Sequence, residues 1–331
     1  MNLIRLNVDP SKLDLNPEVA INWELYYEQY IKALSFVVVR KNPNINVRFM
    51  SFLFLFRHSV ELFLKKQSSY LNNTHSLDKL VGNINNLPTC FLEQLSVLRC
   101  GGNGEDFRYP TDKKGKPYFN GEVFDVLKSL EYFFNLINVK VNLENKPKGR
   151  FEIHSNRFLT IGQVCTDYDF SINILLESII NDELSVNDVY LPLIYLIRHS
   201  VELSLKSNLI EAGEEYLTSN QLRNLCNEHS LCKLFENLDT IINKALANMS
   251  PKESDFKKET ENYHVKLNEL KELLNDLDEK SYCYRFPVNE KGEIHELKIN
   301  TDMLTDLIDL RNNVDSYLNF AVPLLKEYGF L

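Results

Sequence analysis

The most apolar stretch of the chain runs through Phe49, Met50, Phe52, Leu53, Phe54, Leu55 and Phe56 and ends directly on Arg57 and His58. Apolar residues on every side of a helix mark a buried, central helix, not a surface one. The pattern predicts such a helix over about 46–67. Further periodic stretches predict helices near 23–37 and 118–137, with a third opened by 75–80. Loops are expected at 42–44 and at Gly101 to Gly104; the glycines have no preceding strand and no Gly-Lys-Ser/Thr, so they read as a turn and not a phosphate loop. In the second half the expected helices lie near 170–180, 188–210, 229–245 and 302–325. Leu267, Leu270, Leu274 and Leu277 recur at i, i+3, i+7 and i+10, which predicts one more amphipathic helix within 250–278.

The second feature is repetition. Residues 57–65 and 198–206 share eight of nine positions, Arg-His-Ser-Val-Glu-Leu followed by Phe or Ser and then Leu-Lys. His75-Ser76-Leu77 returns as His229-Ser230-Leu231. Phe107-Arg108-Tyr109-Pro110 returns as Tyr284-Arg285-Phe286-Pro287, and each is followed by a Lys-Gly turn, Lys114-Gly115 and Lys291-Gly292. Four blocks in one order point to an internal duplication, and the period is far too long for a solenoid. The expected fold is all-α: two homologous helical bundles with small β-hairpins at the Lys-Gly turns. Residues 1–145 form the first copy, 146–160 a linker, and 161–331 the second copy with its extra helix.

Composition narrows the function classes. A chain of 331 residues, 44% hydrophobic and 25% charged, can bury a core in each of two domains. Its net charge of −9 excludes a chain-wide basic field, which lowers the expectation of nonspecific duplex binding without excluding a local cationic groove. The six cysteines form no C-x-x-C pair and no zinc spacing, so they read as reduced thiols of a cytoplasmic protein with neither metal nor cofactor. Residues 1–10 lack the apolar core of a signal peptide, and no run approaches the roughly 20 apolar residues of a membrane span.

The candidate chemistry lies in the repeated blocks. Glu61 stands four residues after Arg57 and three after His58, so its carboxylate can reach either; Glu202 stands likewise to Arg198 and His199. Ionisable groups beside an apolar run must be paired or open to a cleft. One reading is structural, with Arg57 and a returning Arg108 both on Glu61 and His75 bracing the third helix. The other is a site in which His58 and His75, or His199 and His229, move protons while Arg57 and Arg108 hold a phosphate. Ser59 and Ser200 follow a histidine directly, but adjacent helical side chains diverge, so no Ser-His dyad is expected.

In these residues, roughly over 20–140 and 165–327, the chain resembles the HEPN superfamily of small helical bundles common in bacterial toxin-antitoxin and phage-defence systems. The resemblance rests on the Arg-His-x-x-Glu-Leu helix, the following histidine, and the aromatic-Arg-aromatic-Pro turn before a last helix. It implies a protein that acts on or binds RNA. The catalytic members are metal-independent endoribonucleases whose paired modules face one composite site. Arg57, His58, Glu61, His75, Arg198, His199, Glu202 and His229 are then the catalytic candidates, and Arg108, Arg285 and Arg223 the RNA- or phosphate-binding ones. Arg223 to His229 has the arginine-to-histidine spacing usual in such catalytic modules; no arginine precedes His75 in that way. The resemblance equally admits a noncatalytic interaction or regulatory module with structural clusters, whose partner is RNA or an antitoxin or defence protein, with the extra helix near 250–278 as the docking element.

Overall fold

The computed structural model describes residues 8–15, 21–40, 49–68, 74–99, 107–112, 114–118, 123–141, 152–154, 159–214, 216–248, 282–289, 291–297, 299–327 and 329, together with 257–258, 261–262, 265, 268, 271, 274–275 and 277. The expected loop at 42–44 and the glycine turn at 101–104 lie outside them. The chain is mostly helical. In order come α1 (Trp23–Arg40), α2 (Met50–Gln67), the short α3 (Leu77–Val81) and α4 (Phe91–Gln94), then α5 (Val126–Leu136), α6 (Ile161–Ile180), α7 (Tyr190–Gly213), α8 (Ser219–Cys226), α9 (Leu231–Ala247) and α10 (Thr301–Glu327).

Two compact units divide the chain. One comprises Leu6–Leu196 and Tyr282–Ile299, the other Met1–Arg5, Ile197–Ser281 and Asn300–Leu331. The division falls inside α7, not at 146–160. The aromatic-Arg block at 284–287 therefore belongs with residues of the first half of the sequence.

In the first of these units α1, α2 and α6 pack on one another. Helix α2 buries all residues from Met50 to Leu62, as its all-round apolar run requires. Its free N-terminal amides need acceptors, and α6 supplies one: Asp167 accepts from the Met50 amide, while Ser51 Oγ donates to the Asp167 carbonyl at 2.9 Å. At the start of α7, Gln29 Oε1 of α1 accepts from Leu191 N at 2.8 Å. A side chain of α6 thus caps α2, and a side chain of α1 caps α7. Helix α6 starts at Ile161, nine residues before the expected 170, because Thr160 and Gln163 form a capping box.

The aromatic-Arg blocks are held the same way. The Tyr30 hydroxyl of α1 donates to the Tyr284 carbonyl at 3.0 Å, and the Tyr168 hydroxyl of α6 donates to the Phe107 carbonyl at 3.0 Å. After each block comes one turn. Asp112 Oδ1 accepts from Lys114 N and Lys116 N, and Asn289 Oδ1 from Lys291 N and Glu293 N. Gly115 and Gly292 complete these turns at φ of 79° and 81°, in the left-handed region that favours glycine. Each turn closes a single antiparallel bridge, Thr111 to Pro117 and Val288 to Ile294, where β-hairpins were expected. The ladder that does form pairs β1 (Val123–Asp125) with β2 (Glu152–His154). So part of the expected linker is a strand, and the helix expected over 118–137 is shortened to α5.

The second unit holds the rest of α7 with α8, α9 and α10. Helix α9 buries Leu231, Leu234, Phe235, Leu238, Ile241, Ile242 and Ala245 along one face. Described residues of the 250–278 segment include helical Leu274 and Leu277, both buried. Lys271 pairs with Glu236 of α9 at 2.8 Å, and Cys232 Sγ donates to Asn275 Oδ1 at 2.8 Å. The leucine face expected to dock a partner is, at these positions, occupied by the chain itself; Leu267 and Leu270 lie outside the described residues.

Candidate functional site

Each Arg-His-Glu cluster is set by helical spacing and completed by a loop histidine. In α2, Arg57 Nη1 donates to Glu61 Oε2 at 2.9 Å and Nη2 donates to the His75 carbonyl at 2.5 Å. His75 Nδ1 donates to Glu61 Oε1 at 2.8 Å, and Lys65 Nζ lies 3.1 Å from the same oxygen. In α7, Arg198 Nη1 donates to Glu202 Oε2 at 2.8 Å and Nη2 to the His229 carbonyl at 2.7 Å. His229 Nδ1 bonds Glu202 Oε1 at 3.0 Å, and Lys206 Nζ donates to it at 2.8 Å.

Both clusters are buried. Arg57 is 4% exposed, Glu61 2%, Arg198 5% and Glu202 1%. Burial alone would raise the carboxyl pKa values, but in each case the partners win: His75, Lys65 and Arg57 hold Glu61 well below the ordinary range, and His199, His229 and Lys206 do so for Glu202. The carboxylates are ionised and surrounded by donors. The open edge of each cluster is its loop histidine, with 30% of the His75 side chain and 54% of the His229 side chain exposed.

His58 does not join the carboxylate directly. Its Nε2 donates to the Arg285 carbonyl at 3.0 Å, and its ring lies against Tyr30, Phe54 and Phe286 at 4.5, 5.5 and 4.9 Å between centroids. Burial pushes its pKa down to about 3, so it is neutral at ordinary pH. His199 Nδ1 lies 3.8 Å from Glu202 Oε2, beyond hydrogen-bond reach.

The remaining candidates are placed apart from the carboxylates. Arg108 does not return onto Glu61, whose partners are Arg57, Lys65 and His75. It lies among Tyr195, Tyr109 and Tyr168. Burial opposes its charge, but these phenols hold its pKa above the ordinary value. Arg285 lies over the rings of Tyr282, Tyr195 and Phe286. Arg223 is exposed on α8. Lys65 and Lys206 were not among the sequence candidates, although Arg-x-x-x-Glu-x-x-x-Lys, three charges at successive i+4 steps, is the signal that finds them.

Among the described residues no cluster of His, Cys, Asp and Glu could hold a metal ion. No described helix is long and apolar enough to cross a membrane. Compared with known proteins, the chain matches no family model, no curated protein sequence and no solved structure.

Proposed function

We propose that the chain is a noncatalytic, HEPN-like binding module that arose by internal duplication, and that its Arg-His-Glu clusters hold the fold instead of reacting. The observation that carries this reading is the saturation of the two glutamates. Each buried carboxylate is already engaged by an arginine, a lysine and a histidine. Each arginine divides its fork between that carboxylate and the carbonyl of the loop histidine, so the cluster ties a central helix to the loop that follows it. His58, buried and neutral, ties α2 to the 282–299 segment. The duplication is supported by the matched polar bonds: Gln29 with Leu191 beside Asp167 with Met50, and Tyr30 with Tyr284 beside Tyr168 with Phe107.

A second reading, a metal-independent endoribonuclease, is favoured by one feature. His75 and His229 each bind a buried carboxylate through Nδ1 and stay partly exposed, and a histidine held by a carboxylate at the edge of a cluster is the arrangement that general acid-base cleavage of RNA uses. Incubating the purified chain with total RNA in EDTA separates the two. The binding-module reading expects intact RNA. Cleavage by the parent that disappears in the His75→Gln/His229→Gln double variant, with its helical content unchanged, establishes the nuclease instead.

A further inference from the structure

The aromatic-Arg blocks are held across the repeats, not within them. The Tyr30 hydroxyl of α1 donates to the Tyr284 carbonyl, and the Tyr168 hydroxyl of α6 donates to the Phe107 carbonyl. The caps cross in the same sense: Gln29 of α1 bonds Leu191 of α7, and Asp167 of α6 bonds Met50 of α2. These positions correspond. Gln29 and Asp167 each directly precede the tyrosine, Met50 and Leu191 stand equally far before Arg57 and Arg198, and Phe107 and Tyr284 each open a block. A bond between two positions, answered by the same bond with the copies exchanged, is the isologous pattern of a two-fold interface. Phe54 and Tyr195, at matching places before Arg57 and Arg198, stack on each other with ring centres 4.7 Å apart. Corresponding residues that touch one another lie at the axis of such an interface.

The seat that α1 and α2 offer to residues 282–286 is built on backbone groups and one ring. Tyr26, Tyr30 and His58 donate to the successive carbonyls of Cys283, Tyr284 and Arg285. Phe286, 1% exposed, plugs the end of the seat. Its ring centre lies 4.9 Å from that of His58, 5.1 Å from that of His75 and 6.4 Å from that of Trp23, with Lys65 Nζ 4.1 Å away. The same segment of another copy satisfies the same donors. The two blocks also differ in how they are tethered. Residues 107–118 lie inside the continuous stretch Leu6–Leu196 of one compact unit. Tyr282–Ile299 joins that unit as a separate piece, while the stretches before and after it, Ile197–Ser281 and Asn300–Leu331, belong to the other unit. It is therefore the segment that can change chains while each unit keeps the rest of its residues.

We infer that the α1–α2 seat is an interaction surface for a second copy of this chain, which docks by placing its own residues 282–299 there in a reciprocal exchange. In a closed pair both seats are filled and the donors of both are matched, which makes exchange of an identical element a low-cost route to a dimer. The seat is also complete before its occupant: α1 and α2 precede residue 282 in order of synthesis, so a neighbouring chain can supply the segment first. The inference rests on the duplication proposed above, and not on whether the Arg-His-Glu clusters react.

The test is refolding of the full chain from urea at low and at high chain concentration, with equal parts of isotope-labelled and unlabelled protein, followed by light scattering and photo-crosslinking. A dimer is expected whose share rises with the concentration at refolding. In that dimer, Tyr30→p-benzoylphenylalanine should join labelled to unlabelled chain at 282–286, whereas Tyr168→p-benzoylphenylalanine should reach 107–110 of its own chain. Should the Tyr30 variant fail to fold, Trp23→p-benzoylphenylalanine, half-exposed beside Phe286, carries the probe. The inference is overturned if the chain stays monomeric at every concentration, or if crosslinks from α1 in the dimer never pass between chains. A monomer in which positions 30 and 168 reach 284 and 107 ends the exchange and leaves the duplication standing; probes that reach neither block remove both.

Discussion

His58 makes the stability of the α1–α2–α6 unit depend on pH in a window that can be calculated. In the folded chain the ring is enclosed by Tyr30, Phe54 and Phe286, donates Nε2–H to the Arg285 carbonyl, and has its pKa pushed down to about 3 from an ordinary 6.5. The unfolded chain therefore takes up a proton below pH 6.5 that the folded chain refuses. The stability contributed by the neutral ring is fully present above that value and is lost as pH falls toward the folded pKa. At about 1.4 kcal/mol per pH unit, the loss between pH 7 and 4.5 comes to about 2.5 kcal/mol. The carboxyls of Glu61 and Glu202, both shifted down, begin to add their own loss as pH nears their ordinary 4.5, but that loss is common to parent and variant and cancels in the comparison. His58→Gln keeps an N–H for the Arg285 carbonyl and removes the titration. The assay is urea unfolding followed by the emission of Trp23, the single tryptophan, which lies 6.4 Å from Phe286 in the same unit. The variant will be less stable than the parent at pH 7 through lost ring packing. Its stability must nevertheless fall less steeply from pH 7 to 4.5. Parallel pH profiles for parent and variant would refute the argument, because they would mean that the ring is already accessible to protons.

Two further perturbations follow from the same bonds. Glu61→Gln removes the one carboxylate that Arg57 and Lys65 share, and breaking such a buried pair should cost roughly 3–5 kcal/mol in the same urea assay; a variant as stable as the parent would mean that the cluster contributes nothing to folding. Asp167→Ala strips the cap from the first turn of α2 and Gln29→Ala that from α7, each at a cost of about 0.5–2 kcal/mol; amide exchange at Met50 and Leu191 should rise in the respective variant, and unchanged protection at those amides would contradict the capping roles.

Much of this is visible in the sequence, and the parts that are not are hidden for physical reasons. Helix α2 was legible because an apolar run without a polar face has nowhere to go but a core. The Arg57–Glu61 contact was legible because helical spacing alone brings i and i+4 together. Lys65 and Lys206 were legible in principle by the same rule but look like ordinary solvated charge until the helix is known to be buried. The β1–β2 ladder was not legible: three residues per strand carry too little alternation to register. Nor was the placing of Arg285 beside His58, since a contact between residues 227 apart leaves no local pattern, and the repeat suggested that each aromatic-Arg block would stay with its own half. The early start of α6 was missed although Thr160 and Gln163 spell out a capping box.

The seating of Tyr282–Ile299 among the helices of residues 6–196 carries a consequence for how the protein is made. The bonds from Tyr26 and Tyr30 to the Cys283 and Tyr284 carbonyls span 257 and 254 residues. Such distant pairings close slowly, because the entropy of bringing the segments together is lost before any contact rewards it. On the ribosome the delay is built in. After Leu196 has been added, another 103 residues (299 − 196) must follow before Ile299 exists, roughly 5–20 s at ordinary elongation rates. Throughout that interval α1 and α2 are complete, while the surfaces of Tyr26, Tyr30 and His58 that later receive this segment have nothing to cover them. The nascent chain thus presents a fixed, predictable patch of aromatic surface to whatever waits at the tunnel exit, and truncation anywhere before residue 282 would leave that patch permanently open.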